Sequence, residues 1–421
     1  VTHRFPLTAL DAKDTVEAPD LAVSPSGRVF LTWASKTARG EKTIFLTRSG
    51  DAGRSFAAPR AVAKAGVYKT RPRSGKGGGY ERRATPHGAC TGGTFHLAWG
   101  EALPDGSGMR MVVRTSADGG ETFGPPRLVH RGERAKPTFA AMTVSPAGAK
   151  ACAWLDDRSG RQQPFASVCP AGADDFGPEQ LVYAGQEDSG VCPCCPTAAC
   201  FANDGTLYVA FRNIHDGYRD IAVARLLPGR SHWEGPFPVS ADAWKFDGCP
   251  HDGPSLAVVG DVIHVAWMDA RGGPRRCYHG RAKRSDLAFE VRELHPEGAG
   301  EQGCPRLCPG ARGGLHAVWE ESTGVAPPAA GGRGHAHGAP TPGSGASRAI
   351  FHAQMRPGKD CFGPARPVGE KKGAFQSRPA VVAAGDGTLF VAWNELDESG
   401  KAVVVTRLAQ EAREPSGRTA R

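Results

Sequence analysis

Short runs of alternating apolar and polar residues recur down the chain, and each closes on a large aromatic: VFLTW at Trp33, FHLAW at Trp99, KACAW at Trp154, YVAF at Phe211, IHVAW at Trp267, HAVW at Trp319 and FVAW at Trp393. Alternation with period two marks a strand with one face turned inward. Successive aromatics stand 52–74 residues apart. About fourteen residues before most of them a new strand is expected, often at a proline (Pro19, Pro196, Pro254, Pro305, Pro379). A repeat of this length built from short strands is the signature of a propeller blade. The pattern therefore predicts an all-β, seven-bladed β-propeller of four-stranded antiparallel blades, residues 1–410 forming a single domain. The blades are expected near 18–62, 83–129, 138–182, 195–240, 251–295, 304–368 and 377–408, followed by a polar tail over 411–421. The last repeat lacks a fourth strand, and Arg4-Phe5-Pro6-Leu7 reads like the fourth strand of other repeats. Residues 1–17 are thus expected to close the last blade and remove the exposed edges.

Tight-turn sequences between first and second strands (SPSG at 24–27, SPAG at 145–148, NDG at 203–205, GDG at 385–387) fit this plan. After the third strand of the first two repeats comes Ser49-x-Asp51-x-Gly53-x-x-Phe56, then Ser116-x-Asp118-x-Gly120-x-x-Phe123. The Asp can bond the turn's own backbone, the Gly can take a positive φ, and the aromatic can plug the space beside the hairpin. Later repeats keep only relics, at Asp174-Asp175-Phe176, Ser231-His232-Trp233 and Asp360-Cys361-Phe362. These motifs resemble the Asp-box (BNR) repeats of the sialidase superfamily, over nearly all of the chain. The resemblance implies an extracytoplasmic propeller, secreted or periplasmic, whose Asp boxes are structural. It does not imply a typical sialidase. Those are six-bladed, with three substrate-binding arginines and a late tyrosine nucleophile. Here the last tyrosine is Tyr278, and Arg83 and Arg378 have no third partner.

Composition agrees with a turn-rich β protein, with 56 Gly and 34 Pro in 421 residues. No run of 18 apolar residues predicts a membrane span. The chain begins at Val1 without a leader pattern, as a mature secreted product or a trimmed chain would. Part of the +9 net charge lies in Lys64, Lys69, Arg71, Arg73, Lys76, Arg82 and Arg83. This loop, 64–83, can attract an anionic partner or simply be a solvated Gly-rich connection. No aromatic-interleaved nucleic-acid motif accompanies it.

Candidate chemistry gathers at the starts of three innermost strands. Seven of the twelve cysteines lie there: Cys192-Pro-Cys194-Cys195-Pro196 with Cys200, Cys249-Pro-His251, and Cys304-Pro305 with Cys308. Counted back from the aromatics, Cys195, His251 and Cys304 fall at near-equivalent positions facing the hub. Thiol and imidazole converging from neighbouring blades suit a soft or borderline metal ion. Cys194, Cys195, Cys249, His251 and Cys304 are the candidate ligands, with copper as the expected metal and zinc as second choice, in either an oxidoreductase or a metal-binding protein. His335-Ala-His337, in the Gly/Pro/Ala-rich insertion 324–347, either delivers metal or belongs to a plain linker. The competing reading is a disulfide framework in an interaction scaffold, with Cys152–Cys169 and Cys192–Cys249 as the natural pairs. Carboxylates two residues past the aromatics (Glu101, Asp156, Asp269, Glu321, Glu395) are expected to ring the axial mouth. Asp252, Asp269 and Glu321 are the candidate proton-transfer groups beside the metal. The same acids support an alternative, glycoside hydrolysis or glycan binding in the funnel. They can equally be spent on salt bridges to Arg158 and Arg271. His96, His264 and His316, three residues before their aromatics, are read as core packing.

Overall fold

The computed structural model describes residues 1–7, 14–70, 80–81, 85–132, 135, 137–185, 190–241, 243–323, 347–369 and 371–409. Arg71, Arg73, Lys76, Arg82, Arg83, the His335/His337 segment and the tail from 411 lie outside the described residues. Among the described residues every regular element is a β-strand except one 3-10 turn, Ala311–Gly313, and no helix is long and apolar enough to cross a membrane.

Each alternating run forms the second strand of an antiparallel sheet. The first sheet is ordered Asp20–Val23, Val29–Lys36, Lys42–Ser49, Arg60–Lys64, with Thr15–Val16 also paired to Val29–Lys36. The second is His87–Thr91, Thr94–Ala102, Met109–Ser116, Arg127–Leu128, and the third Thr138–Val144, Lys150–Asp156, Gln163–Cys169, Gln180–Leu181. The fourth is Ala198–Phe201, Leu207–Ile214, Ile221–Leu226, Glu234–Pro238, and the fifth Ser255–Val259, Val262–Asp269, Arg276–Lys283, Glu290–Glu293. Lys69–Thr70 and Tyr80–Glu81 form a separate two-stranded sheet, and Gly190–Val191 also pairs in the fourth; the strands after Glu293 and the N-terminal strand form one eight-stranded sheet. In it the run Gln302–Pro309, Leu315–Thr323, Ser347–Met355, Arg366–Pro367 meets the run Phe375–Ala383, Leu389–Asp397, Gly400–Leu408, Thr2–Pro6 at a single parallel pair, Arg348 with Phe375. The N-terminal strand is therefore paired with the C-terminal one, Phe5 opposite Val403.

Apolar clusters lie between successive sheets rather than within one. Trp154 packs with Met111 and Val113 of the preceding sheet, Phe211 with Leu155, Trp267 with Tyr208 and Ile221, and Trp319 with Met268 and Cys277. Trp33 packs with Phe390, Val403 and Val405 of the last strands, and Phe5 stacks on it at 6.0 Å. All seven aromatics are buried. Stacked twisted sheets with the last packed on the first are a β-propeller arrangement.

The two Asp boxes have the expected chemistry. Ser49 Oγ donates to Asp51 Oδ1 at 2.7 Å and accepts from Gly53 N at 2.8 Å, while Asp51 accepts from Arg54 N and Ser55 N. Ser116, Asp118, Gly120 and Thr122 repeat the pattern. Gly53 has φ 78°, and a Cβ there would meet the Phe390 ring at 2.3 Å. The side-chain hydroxyls and backbone amides that hold Asp51 and Asp118 depress both carboxyls.

The expected disulfides are not formed. All twelve cysteines are free thiols. Cys152 lies opposite Ser167 and Cys169 opposite Lys150, so the two are diagonal neighbours in an apolar cluster rather than a facing pair that one bridge fits. Cys192 is likewise free of Cys249. His96, His264 and His316 are buried, with Nδ1 bonded to Thr115 Oγ1, His279 Nε2 and His352 Nε2 at 2.9, 3.0 and 3.0 Å.

Candidate functional site

The fourth sheet breaks its own edge to make the site. Val191 pairs with Asn213 and Ala198 with Ala210, so residues 192–197 span a stretch that residues 211–212 cover on the partner strand. The surplus chain, Cys192-Pro-Cys194-Cys195-Pro196, bulges out, tethered by Cys192 N donating to Arg212 O at 2.8 Å and Thr197 N to Phe139 O at 3.0 Å. A second segment, 244–252, is laid against this bulge by two arginines. Arg212 is almost wholly buried (1% exposed). It donates to the carbonyls of Asp252, Met268 and Arg219 at 2.7–3.2 Å and lies 5.4 Å from the Trp244 ring. Arg219 donates to Phe246 O at 3.1 Å and reaches Cys192 Sγ at 3.6 Å.

These tethers bring five ligand atoms together as two overlapping groups, Cys192/Cys194/Cys195 and Cys194/Cys249/His251, each with its atoms within 4.8 Å of one another. Cys192 Sγ is 3.5 Å from both Cys194 Sγ and Cys195 Sγ. The three bulge cysteines are buried, whereas Cys249 and His251 are half-exposed. Hydrogen bonds from Cys194 and Cys195, helped by the charge of Arg212, draw the Cys192 thiol far down despite burial. The hydrogen bond from Cys194 lowers Cys249 to about 7. Hydrogen bonding to Cys192 pushes Cys194 up, and burial pushes Cys195 up. The hydrogen bonds of the buried Arg212 guanidinium run to carbonyls among the described residues, and its charge acts on both the Cys192 thiol and the Asp252 carboxyl.

Gly253 permits the approach of the two segments. A Cβ there would sit 2.1 Å from Pro196 O and 2.9 Å from Pro196 C and N, all backbone that cannot swing aside. Gly253→Ala is therefore expected to part the halves and cost roughly 1–3 kcal/mol, as overpacking does. Faster labelling of native Cys192, Cys194 and Cys195 by a thiol reagent, with a lower unfolding midpoint, is the readout. Unchanged labelling and midpoint would contradict it.

Cys304 belongs to neither ligand group. It sits at a bulge with φ 51°. There its amide donates to Asp252 Oδ2 at 2.7 Å, and burial together with Glu320 and Asp252 keeps its thiol protonated. It lines a central cavity of about 780 Å³ shared by His251, Asp252, Met268, Glu320 and Arg378. Asp252 Oδ1 is buried with no hydrogen-bond partner, and burial raises this carboxyl. Glu320 accepts from Arg348 Nη1 at 3.1 Å and from Arg378 N at 2.9 Å.

Asp269 and Asp156 form the salt bridges expected with Arg271 and Arg158, and Asp269 and Glu321 are held further by their own strands. Each accepts from the indole of its own aromatic, Trp267 Nε1 at 2.9 Å and Trp319 Nε1 at 3.2 Å. Arg271 also binds Asp269, while His295 and Gln302 bind Glu321 at 3.2 Å each. Glu101, Asp156 and Glu395 repeat the indole contact. The two-residue offset places every such acid beneath its own indole, so these carboxylates lock the second strands and are spent there. Cys192, Arg212, Arg219 and Glu320 complete the surroundings. Cys192 had a signal in its spacing to Cys194 and Cys195, and Glu320 in its place one residue past Trp319.

No protein-family model matches the chain, and no curated protein matches it. Among solved structures it is similar to the intramolecular trans-sialidase from Ruminococcus gnavus, solved with oseltamivir carboxylate, at 10% identity over 94% of each chain with a TM-score of 0.51. The chain has the sialidase-type β-propeller fold. Penicillium chrysogenum alpha-L-arabinanase complexed with arabinobiose is also similar, at 12% identity over 97% of each chain with a TM-score of 0.49.

Proposed function

We propose that this chain is a metal-binding protein, its soft-metal centre built by Cys192, Cys194, Cys195, Cys249 and His251 on the rim of the central cavity. In this reading residues 1–410 are one seven-bladed ring closed by Thr2–Pro6, in a secreted or periplasmic protein. The seven buried aromatics, the pairing of the two termini and the packing of Trp33 on the last strands support that closure. The observation that carries the function is four sulfurs and an imidazole in overlapping groups beside Arg212 and Arg219, which donate to carbonyls and one sulfur. Thiolate donors select copper(I) first and zinc second. The half-exposed Cys249 and His251 put the metal within reach of a cavity-bound small molecule, which leaves room for redox chemistry. Elemental analysis of protein purified and then reloaded under reducing conditions is expected to give at least one copper or zinc per chain. Metal retained only in traces would end the proposal.

The fold likeness favours a second reading, in which the cavity binds or hydrolyses a glycan. Asp269 and Glu321 are committed to indoles, so Asp252, a cavity-lining carboxyl raised by burial whose buried Oδ1 has no hydrogen-bond partner, is the proton donor here, with Glu320 beside it. Hydrolysis of aryl glycosides that disappears in Asp252→Asn would establish this activity. Inactivity across a broad panel would remove it.

A further inference from the structure

The two ligand groups share one residue, Cys194. Two donors on one ion at about 2.3 Å lie no more than about 4.6 Å apart, and the five ligand atoms are brought together as two groups of three, each with its atoms within 4.8 Å of one another, rather than as one. Cys194 Sγ lies 3.5 Å from Cys192 Sγ and is the one ligand atom common to both groups, and so occupies the point where they meet. We propose that the centre is dinuclear, with the Cys194 thiolate bridging one ion held by Cys192 and Cys195 to a second held by Cys249 and His251. This deepens the metal-binding reading and rests on it.

Charge and coordination both favour monovalent copper. Three donors per ion is a number that copper(I) accepts, whereas structural zinc asks for four. Two monovalent ions against four thiolates leave a double negative charge, which the guanidiniums of Arg212 and Arg219 offset. Two divalent ions would leave an uncompensated positive charge in a buried place. On loading, each thiol proton leaves to solvent as its sulfur takes up metal, and no electron is transferred when copper is supplied already reduced. The two halves differ in access. The Cys192/Cys194/Cys195 half is buried, and the Cys249/His251 half adjoins the cavity. The outer ion is thus the one that exchanges or meets a ligand, and the inner ion is the one retained.

The test uses the full chain, titrated anaerobically with copper(I) as its acetonitrile complex and, separately, with zinc(II). Two copper ions per chain are expected, with a metal–metal scattering path in X-ray absorption that is lost in Cys194→Ser. Cys249→Ser and His251→Ala should each keep one tightly held ion, whereas Cys194→Ser should lose the pair. Cys361→Ser, an exposed cysteine outside the cluster, should bind like the parent, and circular dichroism confirms that each variant is folded. Saturation at a single copper, with Cys194→Ser no worse than Cys249→Ser, would overturn the dinuclear centre and leave the metal-binding reading standing. Retention of neither metal would overturn both.

Discussion

Replacing Arg212 with methionine is expected to abolish the proposed metal binding and lower the protein's stability by roughly 3–5 kcal/mol, among the largest single-residue effects in the chain. The side chain is 1% exposed and ties carbonyls of three segments, at Arg219, Asp252 and Met268. Methionine keeps the stem packing beside Trp244 but leaves those carbonyls without their charged donor, each worth about 1.5–3 kcal/mol to such a group. It also removes the positive charge that favours thiolate at Cys192 and the strut holding Asp252, and hence His251, near Cys194. Arg212→Lys separates the two contributions. It restores the charge but not the planar fork that serves three acceptors at once, so it should recover part of the metal affinity and little of the stability. Denaturant unfolding paired with metal analysis reads both. Wild-type metal content in Arg212→Met would refute the role assigned to the buried charge.

The outline of the fold was legible because it rests on short-range regularities. Alternation ending on Trp33, Trp99 and their counterparts marks one strand per repeat, and the serine–aspartate–glycine turns repeat at fixed offsets. The pairing of Thr2–Pro6 with Gly400–Leu408 could be read from Arg4-Phe5-Pro6 because a strand pattern without neighbours in sequence needs a partner at the other end. The site was only half legible. Cys194, Cys195, Cys249 and His251 do come together, since positions before the aromatics map onto one end of the ring. Cys304 lies at a near-equivalent offset, one residue closer to its aromatic, but belongs to neither ligand group. The long bulge at 192–197 carries its cysteines out of register in a way that the Gly303/Arg306 bulge does not. Bulge length is set by tertiary contacts, here those of Arg212 and Gly253, and counting residues from an aromatic cannot supply it. The salt bridges of Asp156 to Arg158 and of Asp269 to Arg271 were readable from sequence, but the indole contacts were not. A carboxylate two residues past a tryptophan reads the same whether it faces solvent or its own indole. Only the indole's need for a partner in a buried strand favours the second, and that need was not weighed.

Acidification from pH 7.5 to 5.5 is expected to destabilise the protein by several kcal/mol, through buried histidines rather than carboxylates. Burial holds His96, His264 and His352 down to about 4 and His279 to about 3, the last with help from its neighbour His264. The charges facing these rings are positive: Lys150 at His96, Arg281 at His264, Arg281 and Arg292 at His279, and His316 at His352. In the unfolded chain each ring takes up a proton near pH 6.5. The folded chain refuses it until about pH 4. Between those limits the unfolded state binds more protons, so stability rises with pH and is lost as pH falls through this window. One pH unit below the unfolded value costs roughly 1.4 kcal/mol per excluded proton, and the four rings act in parallel. The lowered carboxyls lie below the window, with Glu179 and Asp397 both at about 2, so they add nothing until stronger acid. Replacing the bonded pair His264/His279 with a non-titrating pair such as glutamine and methionine should lower the slope of stability against pH, the remainder coming from His96, His130 and His352 and from the lowered Cys192 and Cys249 thiols. Denaturant midpoints measured at half-unit intervals give that slope. A wild-type midpoint that stays level from pH 7.5 to 5.5 would show that these imidazoles open to solvent at little cost, and would remove the buried histidine pairs from the account of what holds the sheets together.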